Sequence, residues 1–221
     1  MAKIILGLTG SVATTKSILV AKAIKARGHD LVIAATGPSQ YFLTAEEMGE
    51  LREISTEFVT DQQEWPGTCY SRGQEIPHIR LGDWADSLVI APLDANTLAK
   101  IAHGLSDNLL TSLVRAWDFR KPIVLAPAMN TRMWNHPFTA AHLEAFAKLY
   151  GWESVDPGKP SRSANNICES INLAATRLQI TMPVEKVLAC GEFGMGAMGT
   201  PEAVLGALDE VLKNSAAQIQ N

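Results

Sequence analysis

Two side chains in this 221-residue sequence combine a titratable group with a setting suited to proton transfer. His78 follows Pro77 and precedes Ile79. An imidazole changes charge near neutral pH and can act as a base, although a lone histidine is more often structural. Cys190 ends an apolar run and opens residues 191–199, where four of nine positions are glycine. So many glycines describe a mobile flap rather than a core strand. A thiol at its hinge could donate a proton, and a buried, inert cysteine is the alternative.

Residues suited to binding gather in four short loops. Thr9-Gly10-Ser11 offers backbone N–H groups and a hydroxyl at a helix start, which suits a single phosphate. Plain N-capping by Ser11 would use the same atoms. Thr36 and Ser39, at a neighbouring strand end, could share that anion. Pro92-Leu93-Asp94-Ala95-Asn96-Thr97 holds more capping residues than one helix needs, which favours a ligand role. Pro127-Ala128-Met129-Asn130 ends on an amide. Gly7-x-x-Gly10 is not a Walker A loop, because no Gly-Lys-Ser/Thr follows it. A dinucleotide fingerprint is a weak match: Gly-x-Gly is absent, and Thr36-Gly37 stands where NAD binders carry an acid.

Each of these loops follows a short apolar run. Residues 3–8, 31–36, 87–91 and 122–126 read as strands, with a shorter one at 186–189. Helices are predicted at 17–26, from Pro38 onward, over 98–113 as one long amphipathic helix, and at 200–213. Residues 51–75 read as a surface loop. Strands apolar on both faces and separated by helices require a parallel sheet covered on both sides. Right-handed crossovers make it a doubly wound, three-layer α/β/α fold. Ligands of such sheets bind beyond the carboxyl ends of the strands, where all four loops fall. Trp84, Trp117 and Trp134 are predicted to be packing anchors, and His103 and His142 surface residues.

Composition narrows the function classes. A net charge of −4 lacks the basic footprint of a nucleic-acid binder. No secretory apolar region follows the N-terminus, and no apolar run approaches the roughly 18 residues of a membrane span. The three cysteines, Cys69, Cys168 and Cys190, are odd in number and lack CxxC spacing, so neither a disulfide framework nor a structural zinc site is expected. We therefore expect a cytoplasmic protein without metal, membrane or nucleic-acid partners. One domain is expected over residues 1–213, followed by a flexible tail at 214–221.

Six motifs occur in order: Gly7-x-Thr9-Gly10-Ser11-Val12-Ala13, His78-Ile79-x-Leu81-x-x-Trp84-Ala85-Asp86, APLDANTLAK from Ala91, DNLLTSLVRAW from Asp107, PAMNTRMW from Pro127 and LACGEFGMGAM from Leu188. Together they resemble the phosphopantothenoylcysteine decarboxylases of the flavin-containing cysteine decarboxylase family, over nearly the whole chain except 155–182. The resemblance implies a flavodoxin-like or Rossmann-like subunit of a homotrimer, with FMN at the subunit interfaces. It further implies decarboxylation of 4′-phospho-N-pantothenoylcysteine, a small-molecule substrate, to 4′-phosphopantetheine in coenzyme A synthesis. Matched by motif, Gly10, Ser11 and Val12 with Thr36 and Ser39 contact the FMN phosphate side. Asp94, Ala95, Asn96, Thr97 and Ala128 line the flavin. His78 is the base, Asn130 holds the substrate carboxylate, Cys190 donates a proton, and Ala189 and Met198 are flap contacts to substrate.

The implied chemistry explains the need for a flavin. A cysteine carboxylate has no electron sink, so oxidation to a thioaldehyde precedes CO2 loss, and the resulting enethiol is reduced again. Two alternatives stay open: a peptidyl-cysteine decarboxylase acting on a precursor peptide, and a non-catalytic FMN-binding regulatory subunit. The chain departs from the family pattern after His78, where Arg80, Gly82 and Asp83 replace an acid and an arginine pair. Arg80 is expected to lower the pKa of the base. The lysine-rich run before the flap is reduced to Lys186, so the resemblance implies that a lysine helping to bind the substrate phosphate is missing or displaced. Residues 155–182 read as an insertion that modulates access to the active site, with a short amphipathic helix at 167–180.

Overall fold

Strands that are apolar on both faces need two covering layers, and the chain supplies both. The computed structural model describes residues 1–153, 163–188, 191 and 193–219. Its main sheet contains β1 (Lys3–Leu8), β2 (Asp30–Ala35), β3 (Glu57–Thr60), β4 (Ser87–Leu93), β5 (Ile123–Pro127) and β6 (Leu178–Ile180). They lie in the order β3-β2-β1-β4-β5-β6, and every pairing is parallel. This is the Rossmann order, with the direction of winding reversing between β1 and β4.

The helices are α1 (Ser17–Ala26), α2 (Gly37–Gln40), α3 (Ala45–Ile54), α4 (Asp61–Glu64), α5 (Pro77–Trp84), α6 (Ala95–His103), α7 (Leu109–Arg115), α8 (Thr131–Trp134), α9 (Pro137–Lys148), α10 (Ala164–Ala174) and α11 (Pro201–Ile219). Alternate strand residues enter different cores, as the pleat requires. Ile4, Leu6, Leu8 and Ile33 pack with Val20 and Ile24 of α1, Leu51 of α3 and Leu208 of α11. Ile5, Leu88, Ile90 and Leu125 pack with α5, α6, α7, α9 and α10 on the other face. Each such side chain contributes about 1.5–3 kcal/mol when fully buried. The strand ends are fixed by that packing, and the loops beyond them inherit their positions. Trp117 and Trp134 are buried, and Trp84 packs against the same core.

Several sequence expectations need correction. The helix over 98–113 is two helices, because Gly104 ends α6 in the left-handed conformation (φ 71°). Asn108 then caps α7 with its side chain on the Thr111 N–H. The surface loop at 51–75 contains the end of α3, all of β3 and α4; a four-residue strand is too short to stand out by periodicity. Within 155–182, residues 155–162 lie outside the described residues, and the remainder is no loop insertion. It forms α10 and the edge strand β6, with Ile167, Cys168 and Ile171 fully buried. The helix expected at 167–180 is thus α10 followed by β6. Burial pushes the Cys168 thiol up to about 12, so it is an inert core residue.

The strand expected at 186–189 does not join the main sheet. Instead β7 (Val184–Val187) pairs antiparallel with β8 (Phe193–Ala197) in a separate hairpin. All four residues of β7 are exposed, and a strand carrying Glu185 and Lys186 has no place between two apolar layers. The closing helix runs past Lys213 to Ile219, so 214–219 is helical rather than a flexible tail. There the Asn214 side-chain amide donates to the Thr176 carbonyl at 3.3 Å. Among the described residues no helix is long and apolar enough to cross a membrane.

Candidate functional site

Beyond the last paired residues of β1 and β4, a side chain ties together the loops at the reversal. The Thr9 hydroxyl donates to the Pro92 carbonyl at 2.8 Å and accepts from the Asp94 N–H at 2.8 Å. Gly10 follows directly. A Cβ there would meet Pro38 Cβ at 2.8 Å and Asp94 Oδ2 at 3.2 Å, so only glycine lets these three loops converge. Ser11 caps a 3-10 turn, Val12–Lys16, by accepting the Ala13 N–H at 3.3 Å. The capping reading of Ser11 therefore holds, and the residue still faces a cleft.

That cleft, about 520 Å³ in volume, lies between the turn after β1, the end of β5 and the hairpin. Ser11, Val12, Ala128, Asn130 and Met198 line it, so the fold brings together five of the residues singled out from the sequence. Lys16, from the 3-10 turn, and Lys186, from β7, line it too. Contact with the Lys186 amine, and then burial, hold the Lys16 ammonium below the ordinary lysine value. The Asn130 side chain accepts the Arg132 N–H at 2.8 Å, which fixes the plane of its amide at the start of α8.

Among the described residues, one backbone hydrogen bond ties the hairpin to the β5 loop. The Met129 N–H donates to the Gly196 carbonyl at 2.9 Å. Gly196 adopts φ 135°, and a Cβ on it would collide with the Met129 carbonyl oxygen. A Cβ on Gly194 would collide with Thr131 Oγ1. The glycines of the flap thus serve close approach to the β5 loop as well as freedom of the chain. Ala189 and Cys190 lie outside the described residues.

His78 occupies a different part of the sheet edge. It sits in the first turn of α5, and its backbone N–H donates to Glu64 Oε2 at 3.1 Å, while Nδ1 meets Glu64 Oε1. The Glu64 side chain is 3% exposed and that of His78 is 23% exposed. A buried carboxylate that grips both ring and backbone fixes the orientation of the imidazole and turns Nε2 away from itself. Glu64 was missed in the sequence: it is one acid among several in a stretch without periodicity, fourteen residues before the histidine. Arg80 is engaged by Glu57, at 2.8 and 2.9 Å, and by Glu75. Its charge is directed at those carboxylates rather than at the His78 ring.

The other candidates lie along the same edge without lining the cleft. The Thr36 hydroxyl donates to the Leu8 carbonyl at 3.0 Å, and that of Ser39 donates to the Thr36 carbonyl at 2.7 Å. Both protons are committed to the backbone, so an anion there would rely on N–H groups. Asp94 caps α6 by accepting the Thr97 N–H at 2.6 Å; Ala95 is half-buried, Asn96 exposed and Thr97 buried. The strands β2, β1 and β4 separate the His78 end from β5, at about 4.8 Å per step. One chain therefore does not bring His78 to Asn130.

The cleft walls fit a flat heterocycle with an anionic tail such as FMN. Val12, Ala13, Ala128 and Met129 are apolar, the volume lies in the range of cofactor pockets, and Gly10 clears the approach.

The Flavoprotein family profile matches residues 1–213. The chain is 39% identical over 202 residues to the phosphopantothenoylcysteine decarboxylase of Oryza sativa subsp. japonica, covering 91% of this chain and 77% of that protein. It is also 39% identical over 212 residues to a Schizosaccharomyces pombe protein named "Probable thymidylate synthase", where it covers 95% of itself but spans only 29% of the longer chain. A solved structure of a PPC decarboxylase mutant complexed with pantothenoylaminoethenethiol is similar with TM-score 0.77 at 35% identity, covering 96% of this chain and 98% of that one. The structure of the FMN binding protein AtHal3 is similar with TM-score 0.72 at 36% identity, over 94% and 95% of the two chains. With the profile spanning residues 1–213 and such identity over 91% of its length, the chain belongs to the flavoprotein family that includes the phosphopantothenoylcysteine decarboxylases.

Proposed function

We propose that this chain is an FMN-dependent carboxy-lyase that converts 4′-phospho-N-pantothenoylcysteine to 4′-phosphopantetheine, acting in the cytoplasm as a homotrimer. The observation that carries the reading is the meeting of Asn130, Met198 and the hairpin over one cleft that also opens on Ser11 and Val12. Gly10, Ser11, Val12 and Ala128 would hold the FMN, with Asp94 to Thr97 beside them. When bound, FMN supplies the electron sink that a cysteine carboxylate lacks.

The remaining work falls to side chains of the protein. The Asn130 amide, its plane set by the Arg132 N–H, orients the substrate carboxylate for departure as CO2. His78, oriented by Glu64, accepts a proton at Nε2. Cys190 returns a proton from Sγ to the carbon skeleton left after CO2 loss. The hairpin closes the cleft and excludes water.

The separation of His78 from Asn130 supports a site shared between subunits, His78 of one copy serving the cleft of the next. Apolar side chains exposed around the cleft mouth, Val12 at 50% and Val187 at 60%, favour a further protein surface there. Complementation tests this arrangement. His78→Asn and Asn130→Asp, each inactive alone, are mixed after mild subunit dissociation. Recovery of CO2 release supports a shared site, since hybrids contain some sites with both native residues. No recovery, with hybrids present by mass spectrometry, contradicts it.

A further inference from the structure

We infer that Asn165 of α10 is a positioning residue for Asn130, acting through the buried indole of Trp134. Asn130 caps α8, a single turn whose last residue is Trp134. The Trp134 backbone N–H donates to the Asn130 carbonyl at 2.9 Å, so the indole and the Asn130 amide belong to one hydrogen-bonded turn. Trp134 is buried, and its indole Nε1–H donates to Asn165 Oδ1 at 2.8 Å. A donor shut away from water depends on its protein acceptor, which here is Asn165.

A brace must itself be fixed, and α10 is fixed at both ends. Ser163 caps its first turn by accepting the Asn166 N–H at 3.3 Å. Ile167, Cys168 and Ile171 are buried in the core that α9 also covers. The Trp152 indole N–H donates to Ser170 Oγ at 3.3 Å. Asn172 then closes the outer edge of β6: its Nδ2 donates to the Ile180 carbonyl at 2.8 Å, and its Oδ1 accepts the Ile180 N–H at 2.8 Å. Through α10 the edge of the sheet therefore supports α8. Trp134 closes one of the six sequence motifs, whereas α10 lies in the stretch that none of them covers.

The consequence for the reaction follows from the Asn130 side chain, which is set against the Arg132 N–H of the same turn. Slack at Trp134 lets α8 rotate and takes the amide plane with it. The departing carboxylate then loses its alignment, while the flavin and the rest of the substrate keep their contacts. This consequence rests on the decarboxylase reading, whereas the brace does not.

The test uses flavin-loaded protein carrying Asn165→Leu, which keeps the volume and removes the acceptor, or Asn165→Asp, which keeps an acceptor oxygen. Each is also made in a Trp134→Phe background, where the donor is gone. Measured are kcat on 4′-phospho-N-pantothenoylcysteine, flavin content by absorbance, and affinity for 4′-phosphopantetheine, which lacks the carboxylate. Asn165→Leu is expected to lower kcat about tenfold, the scale of one buried hydrogen bond, with flavin content and product affinity unchanged. Asn165→Asp should stay within about threefold of the wild type, since its oxygen still accepts the indole N–H. In the Trp134→Phe background, Asn165→Leu should change kcat no further. A native kcat in Asn165→Leu, or equal losses in the Leu and Asp variants, overturns the proposal. So does a parallel loss of flavin or of product affinity, because Asn165 then supports the fold as a whole. A full tenfold loss that persists without the indole donor overturns it as well. If the wild type releases no CO2, the decarboxylase reading has failed by itself, and amide exchange decides the brace. Faster exchange at Trp134 and Asn135 in Asn165→Leu, with β5 still protected, upholds it; native exchange overturns it.

Discussion

Substitution of Gly196 by alanine should disable the flap while leaving the fold intact. The residue adopts φ 135° and its carbonyl accepts the Met129 N–H at 2.9 Å. An added Cβ would occupy the place of the Met129 carbonyl oxygen, so the hairpin must move off the β5 loop. Backbone strain at such a φ costs about 1–3 kcal/mol, and the lost hydrogen bond about 1 kcal/mol. A two-stranded hairpin is marginal without support, and β7 is exposed along its length. A penalty of about 2–4 kcal/mol is therefore enough to undock it. Since each 1.4 kcal/mol is a factor of ten, kcat/KM for decarboxylation should fall at least about tenfold. Amide exchange at residues 184–188 and 193–197 should accelerate, while β1, β4 and β5 keep their protection. Gly206→Ala is the control: nothing lies within 4 Å of its Cβ position in α11, so it should be neutral or stabilising by up to about 1 kcal/mol. A Gly196→Ala enzyme with native exchange and native kcat/KM would refute the role given to this contact.

Three further outcomes follow from the same geometry. Gly10→Ala forces Pro38 and Asp94 apart and should yield a folded protein depleted in bound flavin, read from the visible spectrum of the purified chain. Glu64→Ala leaves the His78 N–H and Nδ1 without their buried partner; urea unfolding should show a loss of about 1–3 kcal/mol, and turnover should fall further than in Glu64→Gln, which keeps an acceptor oxygen. Lys16 has a folded pKa below its ordinary value, so its charged form opposes folding. The penalty is full below the folded pKa and disappears as pH rises through it to the ordinary lysine value. Stability should therefore increase over that alkaline window in the wild type, and Lys16→Met should remove the increase and add about 0.5–1 kcal/mol at neutral pH, the scale of one screened like-charge pair.

The parts of the fold legible in the sequence were those with an unambiguous burial pattern. β1, β2, β4 and β5 are apolar on both faces, and that alone placed Thr9-Gly10-Ser11, Asp94 and Asn130 at one edge of the sheet. β3 and β6 escaped because four and three residues carry no periodicity to read. The split between α6 and α7 turned on the left-handed conformation of Gly104, in a stretch whose leucines keep helical spacing across the break. The flap was recognisable from its glycines, yet its pairing with β7 was not, since a local apolar run does not reveal which sheet it joins. Glu64 had no local signal: its role comes from a contact across the chain with His78, and nothing in its neighbours marks it. Thr36 and Ser39 look like ligand donors by type, and only the structure shows their hydroxyl protons on backbone carbonyls.

The most direct test of the account is release of CO2 from 4′-phospho-N-pantothenoylcysteine by the purified, flavin-bearing protein. One CO2 per substrate is predicted, with formation of 4′-phosphopantetheine, no net oxidation, and loss of the activity in Asn130→Asp. A yellow protein that releases no CO2 from this compound, but does so from a peptide ending in cysteine, would contradict the proposed substrate. A protein that stays colourless after incubation with FMN would contradict the site itself.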